Sequence, residues 1–279
     1  MKLNYDEKFI IVITLIFTPV IVISTILHHW FPEILRVPNV LGPYFIEPIW
    51  LDLVIMDVVT IILALIVIYH LIKSEGKYKT TCFVYGAIMF AGLEEVHWIL
   101  LGRYNLTPEE TYFFTRGGLW FIEIPLYTCL SWFMLAWCCN YLSELIFPNR
   151  NYVFHASMAG ILAVSLDLWI DPVMVNLGSA SIYPNSKGMW VWLSDPKETF
   201  SIFSIPFLNF LGWFLVILIF LILYGYILND KKIELRGKTK SALFFFGLIP
   251  VFIVVLIGIL VLASLFINPL LAGVDLFPI

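Results

Sequence analysis

Residues 203–228 read FSIPFLNFLGWFLVILIFLILYGYIL, twenty-six positions without a single charged side chain. A bilayer's hydrocarbon core of about 30 Å needs about 20 residues of helix to cross it. This stretch is therefore long enough to span, and its only strongly polar side chain is Asn209. Working outward, six further runs of comparable length and apolarity occupy 9–29, 52–72, 80–101, 119–146, 152–177 and 242–267. The expected fold is all-α, a polytopic membrane bundle of about seven transmembrane helices. The whole chain agrees: of 279 residues, 61% are hydrophobic and 13% charged, with a mean hydropathy of +0.94. So apolar a chain cannot cover a globule with polar surface, which excludes soluble, disordered and collagen-like classes. The net charge of −4 argues against a nucleic-acid partner. Cys82, Cys129, Cys138 and Cys139 all fall inside apolar runs and read as buried thiols.

The first run lacks a small-residue cleavage site and is expected to stay as a span. With no internal repeat evident and no low-complexity linker, residues 1–279 are expected to form one integral membrane domain. Basic residues orient it. Lys2, Lys8, Lys73, Lys77, Lys79, Arg150, Lys231, Lys232, Arg236, Lys238 and Lys240 fall on one side, against Arg36, Arg103, Arg116, Lys187 and Lys197 on the other. This bias places the N-terminus in the cytoplasm and the protein, multi-pass, in the cell membrane.

Six carboxyls lie within the spans: Asp57, Glu94, Glu95, Glu123, Asp167 and Asp171. An ionised acid at a helix centre costs about 2.5–3.5 kcal/mol on insertion scales, and acids within spans usually mark function. At 1.5 Å per residue, all six sit roughly 6–15 Å below the outer helix ends. His97, Asn209 and the His28–His29 pair reach the same level, so one polar chamber is expected there. Asp57, close to Asp52, reads as interfacial. Asp167 and Asp171 are four apart and share a helical face, with Pro172 following. Glu94 and His97 share a face, while Glu95 is expected to point elsewhere. Glu123, two residues before Pro125, is expected in the first turn of its helix, where the dipole favours negative charge.

Several chemistries fail on their residues. A retinal Schiff base needs a Lys in the last helix, and 242–267 contains none. Glu94-x-x-His97 has di-iron spacing without the second Glu-x-x-His that such sites require. Five scattered His residues cannot form desaturase boxes. Glu94–Glu95 lacks the Arg and His motifs of intramembrane prenyl proteases. Asp167-x-x-x-Asp171 is a single acidic motif, where prenyltransferases use two for Mg²⁺ and diphosphate. No metal is expected.

The second half of the chain resembles a known family. Asp171-Pro172-Val173, then Trp190-Val191-Trp192, then Ile205-Pro206-Phe207-Leu208-Asn209-Phe210-Leu211-Gly212-Trp213, are similar to blocks of the carotenoid biosynthesis protein family. That family includes membrane-bound hydratases of the bacterioruberin and γ-carotene type. Upstream, Glu94 or Glu95, Gly102-Arg103-Tyr104, and Ile124-Pro125 followed by Trp132 look like its earlier blocks, so the likeness runs over roughly 90–215. The chain departs from the pattern at Ser204 and Glu123, where the family has Gly, and in a longer Gly178–Trp190 interval.

The resemblance implies addition of water to the terminal C=C of a linear carotenoid, giving a tertiary alcohol. The residues suit that chemistry. Protonating an isolated alkene needs a carboxylic acid that keeps its proton near neutral pH, a state that apolar surroundings and a second nearby acid favour. Aromatic faces stabilise the resulting cation, and a second carboxylate takes a proton from water. Glu94, Glu95, Asp167 and Asp171 are the catalytic candidates, with Asp171 the first choice and Glu94 preferred opposite it. His97, Trp98, Tyr104, Trp120, Glu123, Trp190, Trp192, Asn209 and Trp213 are the candidates for binding substrate. No cofactor is needed; the expected partners are membrane lipid and a linear carotenoid. Two alternatives stay open: a proton- or cation-coupled transporter, and a non-catalytic carotenoid-binding subunit.

Overall fold

The first helix shows how local sequence sets the chain's boundaries. Asn4 accepts a hydrogen bond from the Glu7 N–H at 2.8 Å, and the Glu7 side chain accepts one from the Asn4 N–H at 2.8 Å. This reciprocal cap satisfies two donors that a helix start otherwise leaves free, and it opens α1 (Tyr5–Trp30). The computed structural model describes residues 3–35, 50–103, 112–114, 117–176, 189–192, 199–251, 258–271 and 273–277. In chain order, α1 is followed by α2 (Trp50–Glu75), α3 (Lys77–Arg103), β1 (Tyr112–Phe114), β2 (Trp120–Phe121), β3 (Ile124–Pro125), α4 (Leu126–Ile146) and α5 (Tyr152–Asn176). Then come β4 (Trp190–Trp192), β5 (Ser201–Ile202), β6 (Ile205–Pro206), α6 (Phe207–Tyr224), α7 (Gly237–Val251) and α8 (Gly258–Leu271).

The protein is mostly helical, 78%, and six of its eight described helices are long and apolar enough to cross a membrane. Within the run 242–267, the described residues 242–251 and 258–267 are helical, in α7 and α8. α3 is the centre of the bundle: 67% of its apolar window is buried, against 11% for α1 and 17% for α2. Phe83, Phe90, Phe133, Phe220 and Phe244 form the largest fully buried side chains around it. Leu65, Ile66, Trp169 and Phe246 point outward, apolar surface that lipid accepts and water does not. The most extensive helix pair is α5 on α6. Gly160 permits it, since a Cβ there would stand 2.8 Å from the Phe214 ring.

Two spans begin later than hydropathy suggests. The run 119–146 is helical only from Leu126 and the run 203–228 only from Phe207. Before each helix the chain makes a tight hairpin that ends in Ile-Pro. Trp120 pairs with Pro125 and Phe121 with Ile124; likewise Ser201 pairs with Pro206 and Ile202 with Ile205. The same closing bond recurs, Leu126 N–H to Leu119 C=O at 2.7 Å and Phe207 N–H to Phe200 C=O at 2.9 Å. Both turns hold residues in the left-handed region: Ile122 at φ 56°, Phe203 at 53° and Ser204 at 59°.

These hairpins belong to a larger recurrence. Helix, single strand, Ile-Pro hairpin, helix describes α3–β1–β2–β3–α4, and again α5–β4–β5–β6–α6. Contrary to the expectation of no internal repeat, the sequence carries a trace of it, Ile-Pro-x6-Trp, at Ile124–Trp132 and at Ile205–Trp213. The two copies meet where β1 and β4 pair antiparallel, with Phe113 opposite Val191. They meet again where the rings of Trp132 and Trp213 stand 4.5 Å apart.

Candidate functional site

The recurrence brings acids from both copies to one end of the bundle. Glu94 and Glu95 lie in the C-terminal half of α3, Asp167 and Asp171 in the C-terminal half of α5, and all four are buried, at 5, 6, 0 and 2% exposure. Among the described residues, no Lys or Arg pairs with any of them. Their satisfaction comes from indole and amide donors. Trp98 Nε1 donates to Glu94 Oε1 at 2.6 Å, and Trp132 Nε1 to Glu95 Oε1 at 3.0 Å. Asn209, in the first turn of α6, donates both amide hydrogens, to Asp167 Oδ2 at 2.8 Å and Asp171 Oδ2 at 2.7 Å. The Trp190 side chain donates to Asp171 as well. Glu95 interacts electrostatically with both aspartates, and Glu94 with Glu95. Carboxylates buried near one another in a low-dielectric interior repel unless they share protons.

A cleft opens beside them. Its walls are Glu94, Glu95, Trp98, Tyr112, Trp132, Trp192, Pro206, Leu208, Asn209, Gly212 and Trp213. Most are apolar or aromatic with few polar groups, the usual make-up of a small-molecule site. The glutamates face this space directly; the aspartates lie one layer behind Asn209. Both strands of the β1–β4 pair reach the wall, with Tyr112 and Trp192 as register partners, ring centroids 4.6 Å apart. Gly212 lies beside the acid: a Cβ there would stand 3.8 Å from Glu94 Oε1, an ordinary contact. Among the described residues, no set of three or more His, Cys, Asp or Glu side chains converges as metal ligands would.

The sequence candidates thus divide. Glu94, Glu95, Trp98, Trp192, Asn209 and Trp213 line the cleft, and Asp167, Asp171 and Trp190 support it from behind. Tyr104 lies outside the described residues. Glu94 and Glu95 take partners on different elements, Trp98 of α3 and Trp132 of α4, and both reach the cleft wall. His97 is not on the wall; its Nδ1 lies 2.9 Å from the Leu93 carbonyl of its own helix. Glu123 is not in a helical first turn but at the tip of the β2–β3 hairpin. It faces His28 at 3.9 Å, and His28 stacks on Trp120 at 3.8 Å. Glu123 and Trp120 therefore belong to the seam between α1 and the hairpin, away from the cleft. Asp57 likewise serves a seam, accepting hydrogen bonds from the backbone of Gly118 and Leu119. Tyr112 and Trp132 are wall residues that sequence reasoning did not select. Trp132 had a signal, its place seven residues after Pro125, matching Trp213 after Pro206.

Taken together, the fold and site define a helical membrane protein with a carboxyl-lined, aromatic-walled pocket at one end of the bundle. A sequence model of the family described as carotenoid biosynthesis protein matches residues 55–278, from the second helix through the C-terminal segment, and the chain belongs to that family. Its role is in carotenoid biosynthesis. Compared with curated proteins and with solved structures, the chain matches none.

Proposed function

We propose that the protein adds water across the terminal trisubstituted double bond of a linear carotenoid, giving a tertiary alcohol. The observation that carries this reading is the set of four buried carboxyls, unpaired with any described Lys or Arg, beside a cleft walled by Trp98, Trp132, Trp192 and Trp213. Glu94 and Glu95 are the groups that meet the substrate. In the shared-proton state one is an acid and the other a carboxylate. Glu94, its Oε1 fixed by Trp98, delivers a proton to the alkene carbon that yields the tertiary cation. The faces of Trp132 and Trp213 stabilise that cation. Water attacks it, and Glu95 takes the proton that the new C–O bond releases. Proton transfer from Glu95 to Glu94 restores the starting state. Asp167 and Asp171 bias where the proton rests through their electrostatic contact with Glu95.

The test is expression in a host that makes lycopene-like or bacterioruberin-like precursors, with chromatography and mass analysis of the pigments. A carotenoid heavier by one water, made only when the protein is present, is the expected result. Co-purification of unchanged carotenoid with the protein, and no hydrated product, would overturn the reading in favour of a binding subunit.

A further inference from the structure

Two cleft residues each leave one buried polar atom without a partner among the described residues: Glu95 Oε2 and Trp192 Nε1. Four other indoles of this end are engaged. Trp98 donates to Glu94, Trp132 to Glu95 Oε1, Trp190 to Asp171 and Trp120 to the Gly117 carbonyl. An indole N–H is a donor only, and a carboxylate oxygen an acceptor only. A buried donor or acceptor left unmade keeps the full penalty of its lost hydration. One donor and one acceptor on the walls of the same cleft match a single ligand, a hydroxyl or water. Its hydrogen goes to Glu95 Oε2, and its oxygen accepts from Trp192 Nε1.

We propose that Trp192 and Glu95 hold the attacking water between them, which makes Trp192 a catalytic residue. This rests on the hydratase reading above. The indole bond occupies one lone pair of the water oxygen, the second is free to form the C–O bond, and Glu95 accepts the departing proton. The indole keeps its own hydrogen throughout. Trp192 can hold this position because β4 is pinned to β1, and its ring packs on Tyr112. Without the indole hydrogen, protonation by Glu94 still occurs. The cation, lacking a placed water, then returns to alkene by losing a proton.

The experiment uses membranes containing the full chain, incubated with a linear carotenoid in D₂O. Alcohol formation and deuterium in the recovered carotenoid are both measured. For Trp192→Phe the alcohol should fall about tenfold or more, while deuterium continues to enter the recovered carotenoid. Trp192→His, which keeps a ring N–H, should recover part of the alcohol. Benzothienylalanine at position 192 keeps the shape of Trp without its N–H, and should behave as the Phe variant does. Full alcohol formation with benzothienylalanine, or equal loss of alcohol and deuterium uptake, would overturn the proposal. Absence of alcohol from the unaltered protein would instead overturn the hydratase reading, and this proposal with it.

Discussion

The two copies of the helix–strand–hairpin–helix unit place different side chains at equivalent positions. Three residues after its hairpin proline, the second copy has Asn209, whose amide ties Asp167 to Asp171. The first copy has Thr128 there, and its Oγ1 is buried without a partner among the described residues. The second copy's acids are thereby clamped to each other and kept off the cleft wall. Those of the first copy stay on the wall, each held by one indole. A duplicated scaffold has thus separated its labour, one copy presenting acids to the cleft and the other fixing acids behind it.

The largest effect should come from the copy whose acids face the cleft. Glu95→Gln is isosteric but can neither take a proton from water nor carry the shared charge. Hydration should fall about 100-fold or more, the usual span of general acid–base assistance, while the protein still accumulates in the membrane. Glu94→Gln should do the same. Pigment chromatography on matched membrane amounts checks both, and near-full activity in either removes that residue from the mechanism.

Next comes the clamp. Asn209→Leu keeps the volume and removes both donors, so Asp167 Oδ2 and Asp171 Oδ2 lose their 2.8 and 2.7 Å partners. Each unsatisfied buried acceptor costs about 1–3 kcal/mol. A clear drop in the thermal midpoint of the detergent-solubilised protein should accompany a partial loss of activity. If activity vanished with the midpoint unchanged, the aspartates would belong to the chemistry and not to its support.

The hairpins sharpen the comparison at a distance from the acids. Each strained turn is pinned by a terminal element, but by different chemistry. In the first, Ser24 Oγ accepts from the Ile122 N–H at 2.9 Å, and Thr25 Oγ1 from the Trp120 N–H at 3.0 Å. In the second, Asp275 Oδ2 accepts from both the backbone and the hydroxyl of Ser204, at 3.0 and 3.1 Å. Bonds to a charged acceptor are worth more than neutral ones. Asp275→Ala should therefore cost about 1–2 kcal/mol, and Ser24→Ala about 1 kcal/mol or less. Thermal melts of the two variants, compared directly, decide it. The Asp275 contact also accounts for Ser204 at φ 59°, a conformation for which glycine is the easy solution.

What the sequence made legible follows from which signals are periodic or long. Spans of more than 20 apolar residues are visible to hydropathy, and so are acids inside them; Glu94, Glu95, Asp167 and Asp171 were found that way. Two-residue strands such as Trp120–Phe121 carry no periodicity, and their apolar side chains merge into the helix that follows. Glu123 was misplaced for that reason. The pairing of β1 with β4 joins residues about 80 positions apart, and nothing local announces it. Helical spacing alone does not place Glu95, because the wall it meets is built by other elements, with Trp132 of α4 as its partner. The repeat was missed because its copies share little beyond Ile-Pro-x6-Trp, their remaining likeness being one of backbone path.

The smallest expected effect tests the comparison most directly. Thr128 and Asn209 occupy matching places, but only Asn209 has acids to satisfy. A buried hydroxyl without a partner is a net cost, about 1–3 kcal/mol where desolvation is complete. Thr128 is only partly buried as a residue, so the recoverable amount is smaller. Thr128→Val keeps the branched shape and removes the oxygen. Stability should stay within about 0.5 kcal/mol of the unaltered protein or rise, since no bond is lost, and hydration should be unchanged. A marked loss of activity in Thr128→Val would mean that its hydroxyl serves the Glu95 side as Asn209 serves the aspartates. The division of labour between the copies would then be replaced by two working clamps. A thermal melt and a pigment assay on this one variant separate the outcomes, because the first reads the cost of the lone hydroxyl and the second reads its use.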